Sequence, residues 1–386
     1  MLKNLSDNIV IVGSGLAGYT VIRELRKLDK DIPITLVTQD PGYFYSKPLL
    51  STALAGKKEA YQLITSSAED MASQLNITIS TNTQVNSIDT SNQTIQTGKE
   101  KIKYKTLVLA LGADQIRIPV NGDAANELLT VNDLEDYVKF QNKILDKKKV
   151  TIIGAGLIGC EFANDLIIAG YEVDVIDMAT YPLSRFLPES VGRYLQDKLT
   201  ALGVNWHLQT SVQSIDHENT WLKVTLNNKN TIQTDVVLSA IGLRPRIKLA
   251  ESAGIATRIG ILVDRKLQTN LSHIYSIGDC AEVENMVMPF VMPIMHAAKA
   301  LASTLVGNDA FVKYPAMPVM VKTPAIATIV SPPAKDVIGK WNIKELDDGL
   351  EARYESDSGT LLGFALMGSA TAQRSALTKS LPAILD

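Results

Sequence analysis

The hydrophobic pattern at the start of the chain consists of two short apolar runs, separated by a glycine-rich turn and a periodic stretch. The first run is Ile9–Val12, the periodic stretch extends to Lys30, and the second run is Ile34–Val37. An unbroken apolar run of four residues is typical of a strand that is buried on both faces of a parallel sheet. The pattern therefore predicts a βαβ unit at the start of the chain.

The same pattern recurs in the middle of the chain. The apolar run Val150–Ile153 precedes a second glycine-rich turn, a helical stretch reaches Gly170, and the run Val173–Ile176 follows. Another buried strand, ending in a tight turn, is predicted within Asp235–Gly242. Since strands that alternate with helices form parallel sheets, the chain is predicted to adopt an α/β fold.

The last part of the chain has a different pattern. From Tyr314 onward, prolines such as Pro315 and Pro324 interrupt extended apolar stretches such as Ile326–Val330. Proline breaks both helices and central strands, so frequent prolines favour short strands joined by turns. This composition predicts a small, separate α+β unit.

Composition narrows the function classes. The 386 residues carry a formal net charge of −3, which gives no basic surface for nucleic acid, and 46% of them are hydrophobic. At this length about two or three domains are expected. No apolar run is long enough to span a bilayer, and Met1–Asn8 lacks the basic and then apolar pattern of a leader. The two cysteines, Cys160 and Cys280, are too few for a disulfide framework. We therefore expect a cytoplasmic protein without membrane insertion, nucleic-acid binding or a metal site.

Two G-x-G-x-x-G motifs lie in the two βαβ units. The first motif comprises Gly13, Ser14, Gly15, Leu16, Ala17 and Gly18, and the second contains Gly154, Gly156, Leu157, Ile158 and Gly159. In this context the glycines permit a tight turn and bring backbone N–H groups of a helix N-terminus close to a pyrophosphate. One such motif is a weak signal, but two in complete βαβ units predict two bound dinucleotides.

An acidic residue follows each motif at the spacing expected for a ribose ligand. Asp40 lies 22 residues after Gly18, and Asp177 lies 18 residues after Gly159. Asp177 directly ends its strand, where its carboxylate accepts hydrogen bonds from an adenosine ribose and repels a 2′-phosphate. The second site is therefore predicted to bind NADH in preference to NADPH.

Several further segments carry a resemblance to a known family. They are Tyr45–Ser51, Leu107–Ala113, Ile158–Leu166, Ser239–Pro245, Ile274–Ala281 and Val321–Ala325. Together with the glycine motifs, they resemble the two-dinucleotide-binding flavoproteins, which include glutathione reductase and the ferredoxin reductases of oxygenase systems. Within that family the chain is most similar to the rubredoxin reductases.

The resemblance implies two Rossmann-like dinucleotide-binding domains, as in glutathione reductase, and a small α+β C-terminal domain. The FAD-binding domain is expected at residues 1–113 and 243–313, the NADH-binding domain at 114–242 and the C-terminal domain at 314–386. The implied FAD ligands beyond the first motif are Thr38, Gln39 or Asp40, Lys47, Pro48, Val85, Ala110, Gly112, Asp279, Val291 and Lys322. NADH is expected at the second motif, Glu161, Asp177 and Gly242.

The resemblance also implies catalytic roles. Lys47 is expected near flavin N5, where an ammonium stabilises the charge of the reduced flavin. Glu161 is expected near the nicotinamide, where the family often pairs it with the lysine. From the residues alone, Lys47 would be interpreted as a surface lysine. Glu161 would be interpreted as a negative charge that is favourable near a helix N-terminus.

The route of the electrons follows from the cysteines. Cys160 and Cys280 are far apart in the sequence, so the chain lacks the neighbouring cysteine pair of the disulfide reductases. The resemblance implies single-electron transfer to rubredoxin, a small iron protein, with an alkane hydroxylase as the final consumer. A ferredoxin or a flavodiiron protein is the alternative acceptor. A flavoprotein that acts as a redox-dependent binding module is the third possibility.

Overall fold

The computed structural model describes residues 8–98 and 100–386. Within them the helices are α1 (Leu16–Leu28), α2 (Ala68–Leu75), α3 (Leu134–Ile144), α4 (Leu157–Ile168), α5 (Glu189–Leu202), α6 (Lys248–Ser252), α7 (Val291–Leu305) and α8 (Arg374–Ser380). Short 3₁₀ turns lie at Lys47–Thr52, Ala60–Leu63, Ala125–Glu127, Gly278–Cys280 and Ser369–Gln373. The prediction that Met1–Asn8 carries no leader pattern falls almost entirely outside the described residues. No helix among the described residues combines the length and hydropathy needed to cross a bilayer.

The first βαβ unit forms the centre of a five-stranded parallel sheet, here called the first sheet. Its strands, in spatial order, are Ile274–Ser276, Thr106–Leu109, Ile9–Val12, Ile34–Val37 and Thr78–Ser80. The central strand Ile9–Val12 is buried along its whole length, as its apolar run predicts. A strand from late in the chain completes this sheet, because Ile274–Ser276 pairs with Thr106–Leu109.

The second βαβ unit forms a second sheet of the same kind. Its five parallel strands, in spatial order, are Leu129–Thr130, Val236–Ser239, Lys149–Ile153, Glu172–Ile176 and Val204–His207. The strand predicted within Asp235–Gly242 ends at Ser239, and Gly242 has a φ of +113°, which a glycine adopts readily.

The last part of the chain forms the C-terminal sheet. Its five antiparallel strands, in spatial order, are Val319–Val321, Thr328–Ser331, Leu361–Gly368, Gly349–Glu355 and Lys340–Leu346. Helix α8 packs near this sheet, with Leu377 joining a cluster around the buried Phe364. The predicted α/β fold with a small C-terminal α+β unit is thus confirmed.

Five smaller sheets lie among the described residues outside these three sheets. Two have three strands: Val85–Asp89, Thr94–Thr97 and Lys101–Lys103 form one, and Val212–Glu218, Trp221–Leu226 and Thr231–Thr234 form the other. The two-stranded sheets are Phe44–Tyr45 with Ile64–Ser66, Ala113–Gln115 with Leu243–Pro245, and Ile261–Val263 with Ala281–Val283. Ala113–Gln115 precedes the strands of the second sheet in the chain, and Leu243–Pro245 follows them. The pairing of these two strands brings the two ends of that region together. The predicted domain limits near 113 and 243 remain predictions.

Helix α4 explains how the second sheet and the C-terminal sheet come together. Every residue from Gly159 to Leu166 is buried, so this helix has no solvent face along that stretch. A helix buried on all sides packs against more than one layer. One hydrophobic core accordingly contains Phe162 of α4, Val175 of the second sheet and Ala365 of the C-terminal sheet.

Candidate active site

The first glycine motif forms a tight loop between a buried strand and α1. Gly13 has a φ of +113°, and its N–H donates to the Val37 carbonyl (2.8 Å). A Cβ on Gly18 would overlap the carbonyl oxygen of Gly13, so this glycine permits close packing of the helix on the loop. The first and last glycines of the motif are therefore needed by the fold itself.

Gly15, the middle glycine, has no such structural demand. Its backbone is extended (φ −66°, ψ −177°), and a Cβ built on it would meet no protein atom within 4 Å. It is the N-cap of α1, and no described side chain caps this helix end. Open space in front of uncapped backbone N–H groups fits a pyrophosphate, as the sequence predicts for FAD.

The second motif repeats this geometry. Gly154 has a φ of +108°, and its N–H donates to the Ile176 carbonyl (2.8 Å). A Cβ on Gly159 would overlap the Gly154 carbonyl, whereas one on Gly156 would meet nothing within 4 Å. Gly156 is the N-cap of α4, which again lacks a side-chain cap among the described residues. The second site therefore also fits a dinucleotide pyrophosphate.

The carboxylate of Asp177 supports the second loop directly. One oxygen accepts the Ala155 N–H (2.5 Å), and the other accepts the Ala179 N–H (2.7 Å). Ala155 lies inside the glycine motif, so Asp177 fixes the loop at the end of the strand where a ribose is expected. This position agrees with the predicted ribose ligand.

In the first loop the equivalent carboxylate is Asp40. It accepts hydrogen bonds from the Ser14 hydroxyl (2.7 Å) and from the Gly42 N–H (2.8 Å). Ser14, like Ala155, is the second residue of its motif, but Ser14 donates from its side chain and Ala155 from its backbone. Thr38 directly follows the strand, and its hydroxyl bonds to Ser14 (3.0 Å), while Gln39 is exposed. Asp40 therefore contacts the first loop, and which of Gln39 and Asp40 binds the ribose remains a prediction.

The remaining predicted FAD ligands lie around the first sheet. Ala110 follows the strand Thr106–Leu109, and its carbonyl packs against Gly13, while Gly112 has a φ of +72° with open space at its Cβ position. Val85 begins a strand and is buried. Val291 is the first residue of α7, a helix end without a side-chain cap among the described residues.

Lys47 and Asp279 influence each other electrostatically. Lys47 begins a 3₁₀ turn and reaches solvent. Desolvation by the surrounding protein lowers the pKa of Lys47, and the negative charge of Asp279 opposes this shift. Burial raises the pKa of Asp279, and the charge of Lys47 opposes that shift. The charge of each group therefore partly offsets the desolvation of the other, in a position that suits a ligand with its own polar atoms.

The raised pKa of Asp279 predicts a pH-dependent effect of Asp279→Asn on cofactor-free protein. The folded pKa exceeds the unfolded value of about 3.9, so the stabilising contribution of protonated Asp279 is complete below that pH and is lost as pH rises through the folded pKa. The variant should therefore gain melting temperature relative to the parent between pH 4 and pH 7. Thermal scans across this range test it, with exposed Asp357→Asn as the control. A difference that shrinks with pH would contradict the assignment.

Glu161 lies at the centre of a buried polar network. Its Oε1 accepts the backbone N–H of Lys322 (3.0 Å), and its Oε2 accepts the Ser51 hydroxyl (2.5 Å) and the Lys322 ammonium. The ammonium also donates to the Pro48 carbonyl (2.7 Å) and to Ser51 (2.9 Å). The Glu161 side chain is only 4% exposed. A buried ion pair requires such additional hydrogen bonds to offset its desolvation.

This network corrects the expected pairing of Glu161 with Lys47. The backbone N–H of Lys322 donates to one carboxylate oxygen of Glu161, and its ammonium donates to the other. Lys47, at the first position of its turn, has Asp279 as the strongest charge acting on it. The Lys322 ammonium joins the C-terminal sheet to α4 and to Pro48, and the expectation that this residue closes over the flavin remains a prediction.

Three polar residues of the site escaped the sequence reasoning. Asp165 accepts the backbone N–H groups of Leu54 (2.9 Å) and Ala55 (3.1 Å), and Asn164 accepts that of Ala325 (3.0 Å). Ser51 is the third. For Asn164 and Asp165 the sequence contained a signal in the apolar character of α4. Polar residues within a helix that is buried on all sides must find partners in neighbouring segments.

The two cysteines lie in different parts of the protein. Cys160 is buried in α4 with its thiol near the Ala155 carbonyl (3.5 Å), whereas Cys280 is buried near the Leu109 carbonyl of the first sheet (3.5 Å). Burial raises the pKa of both thiols. Neither cysteine is therefore a reactive thiolate, as expected from their separation in sequence.

Comparison with known families gives two matches along the chain. The family described as pyridine nucleotide-disulphide oxidoreductase matches residues 7–303. The family described as rubredoxin binding C-terminal domain matches residues 311–381, which include the whole C-terminal sheet and Lys322. The first match contains both glycine motifs and Glu161.

Individual proteins agree with this assignment. A rubredoxin-NAD(+) reductase of Alcanivorax borkumensis is 44% identical over 98% of this chain and 99% of its own length. A nitric oxide reductase FlRd-NAD(+) reductase of Aliivibrio fischeri is 36% identical, covering 94% of this chain and 95% of its own. The crystal structure of a ferredoxin reductase from Rhodopseudomonas palustris superimposes with a TM-score of 0.88 at 26% identity, covering 97% and 95% of the two chains. With both dinucleotide loops in place and a family match across most of its length, the chain belongs to the pyridine nucleotide-disulphide oxidoreductases.

Proposed function

We propose that the protein oxidises NADH with a bound FAD and passes the electrons to rubredoxin. The observation that carries this proposal is Lys322, which lies in the part matching rubredoxin binding domains and donates to Glu161 and Pro48 beside the two dinucleotide loops. The segment expected to meet the acceptor is thus in direct contact with the segments expected to hold the cofactors. The relative from Alcanivorax borkumensis, named for this activity, supports the same conclusion.

The first sheet supplies the FAD site. The N–H groups at the start of α1 would bind the pyrophosphate, with Gly15 allowing the close approach. Asp40 would accept hydrogen bonds from the ribose, and Asp279 from the ribitol. A bound FAD would supply an acceptor for the hydride of NADH and would allow the two electrons to leave singly.

The chain's own residues orient and charge this site. The N-terminus of α4 and Asp177 would hold NADH, and Glu161, in the second turn of α4, would position the nicotinamide end. Lys47 would place a positive charge beside the flavin, where preorganised charge favours electron transfer. Ala155, whose N–H is bound by Asp177, keeps the loop in the binding conformation.

The electrons must leave through the protein surface. Cys160 and Cys280 are free thiols buried in two different hydrophobic cores, so these thiols offer no relay. A docking partner that leaves after each electron fits a small interface, below about 1,200 Å². The free thiols also agree with the cytoplasmic location that we propose, since the cytoplasm keeps thiols reduced.

The carboxylate of Asp177 predicts a preference for NADH. The kcat/KM for NADH should exceed that for NADPH more than about tenfold, which requires only about 1.4 kcal/mol of repulsion. Asp177→Asn keeps an acceptor for the Ala155 or Ala179 N–H and removes the charge, so it should reduce this ratio. Glu172→Gln, at the exposed beginning of the same strand, is the matched control. Equal kcat/KM values for the two nucleotides in the parent protein would refute the prediction.

Steady-state NADH oxidation with different acceptors tests the proposal. Rubredoxin should support rapid turnover, and a ferredoxin should support much less. The acceptor of a nitric oxide reductase system is the second candidate, favoured by the 36% identical relative that is named for it. Binding of an iron protein without turnover would instead favour a redox-dependent binding module. Supply of an alkane hydroxylase remains a prediction from the resemblance.

A further inference from the structure

Ser51 occupies the centre of the polar network that surrounds Glu161. It lies in the 3₁₀ turn Lys47–Thr52 and is only 3% exposed. Its hydroxyl lies 2.5 Å from Glu161 Oε2, 2.9 Å from the Lys322 ammonium and 3.3 Å from the Pro48 carbonyl. Ser51, Glu161 and Lys322 therefore form a closed ring of hydrogen bonds.

Counting protons fixes the direction of each bond in this ring. An ammonium has three donors and no acceptor, and the Lys322 ammonium uses all three on Glu161, Pro48 and Ser51. The Ser51 oxygen must then accept from Lys322, and its single proton goes to the nearer acceptor, Glu161. The hydroxyl thus receives one hydrogen bond from the cation and gives one to the anion.

The ring connects three separate parts of the chain. Ser51 belongs to the turn that begins with Lys47, Glu161 belongs to α4, and Lys322 follows a strand of the C-terminal sheet. Without Ser51, only the bond from the Lys322 ammonium to the Pro48 carbonyl would tie the ion pair to this turn, and Glu161 would keep no described hydrogen bond to it. The Ser51 hydroxyl ties both charges to the turn that carries Lys47.

We propose that Ser51 is a positioning residue, which holds the Glu161–Lys322 ion pair in a fixed orientation relative to the flavin-facing turn. This inference rests on the proposed function, because it assigns the pair a part in hydride transfer from NADH. Ser51 would act through Glu161 and Lys322, without contacting either nucleotide. Its hydroxyl should matter more for the rate of flavin reduction than for the affinity for NADH.

The substitution Ser51→Ala tests this role. It should lower the limiting rate of flavin reduction by NADH about tenfold per bound FAD, within the coupling range of residues in one hydrogen-bond network. The dissociation constant of NADH and the FAD content should change less than about twofold, since neither nucleotide site includes Ser51. Thr52→Ala removes the neighbouring hydroxyl, which bonds only to the Leu49 carbonyl of its own turn (3.3 Å), and should leave the rate unchanged. Ser51→Thr, which retains the hydroxyl, should restore most of the rate.

A double-mutant cycle with Glu161→Gln separates positioning from a general loss of structure. Ser51→Ala should lower the melting temperature and the reduction rate of the parent, and should change both much less in the Glu161→Gln background. Equal effects in both backgrounds, or a parent-like rate in Ser51→Ala, would overturn the proposal. The thermal cycle requires no turnover, so failure of NADH to reduce the parent would count against the proposed function alone. If Ser51→Ala fails to fold, Ser51→Cys, with similar volume and a weak donor, gives the same comparison.

Discussion

The substitution Gly15→Val is expected to remove bound FAD while leaving the fold intact. The backbone at Gly15 is extended, and a Cβ there would meet no protein atom within 4 Å, so the valine side chain fits the protein alone. It would fill the space in which the FAD pyrophosphate approaches the first turn of α1. The FAD content of purified protein, measured by flavin absorbance, should fall more than about tenfold.

The matched control for this prediction is Gly98→Val. A Cβ on Gly98 likewise meets no protein atom within 4 Å, and this glycine lies in a turn after the strand Thr94–Thr97. Gly98→Val should keep its FAD, and in cofactor-free form both variants should melt at the same temperature as the cofactor-free parent protein. Full FAD content in Gly15→Val would show that the first loop is not the pyrophosphate site.

The substitution Gly156→Val should have the complementary effect at the second loop. Its Cβ position is also open, so the side chain would enter the space in front of α4 and not the protein. FAD should remain bound, because the first loop is unaffected. The second-order rate of flavin reduction by NADH should fall more than about 100-fold, equivalent to at least 2.7 kcal/mol of lost binding at about 1.4 kcal/mol per tenfold.

Chemical reduction gives the control for this variant. Dithionite requires no dinucleotide site, so it should reduce the flavin of Gly156→Val and of the parent to the same extent. Rapid reduction of the variant by NADH would mean that the nicotinamide nucleotide binds elsewhere. Failure to retain FAD would mean that the two loops do not hold separate nucleotides.

The local elements of the fold were predictable from sequence because each depends on neighbouring residues. The apolar run Ile9–Val12 is a buried strand as predicted, and Val150–Ile153 forms a strand that begins one residue earlier, at Lys149. The glycine motifs specify their loops through backbone conformations that other residues adopt poorly, as at Gly13 and Gly154.

The polar network could not be predicted in this way. Glu161 and Lys322 are 161 residues apart, and their contact depends on how the C-terminal sheet packs against α4. The sequence motif suggested Lys47 as the partner of Glu161, because both belong to segments expected near the flavin. Only the three-dimensional arrangement shows that Lys322 contacts Glu161, and that Asp279 is the charged group with the largest effect on the pKa of Lys47.

The choice between Gln39 and Asp40 shows the same limit. Spacing from the glycine motif favours Asp40, whereas the count from Lys47 favours Gln39, so the sequence alone left both open. The structure places Asp40 in contact with the first loop through the Ser14 side chain, whereas Asp177 contacts the second loop through the Ala155 backbone N–H. Contact of Asp40 with the ribose itself remains a prediction.

Sequential-mixing stopped flow tests the central claim most directly. The protein is first reduced with one equivalent of NADH and is then mixed with oxidised rubredoxin, and flavin and iron absorbances are followed together. The account predicts rapid flavin reduction in the first step, followed by loss of reduced flavin as two rubredoxins are reduced per NADH consumed. Flavin that NADH reduces but that rubredoxin leaves reduced, while another acceptor reoxidises it, would contradict the account.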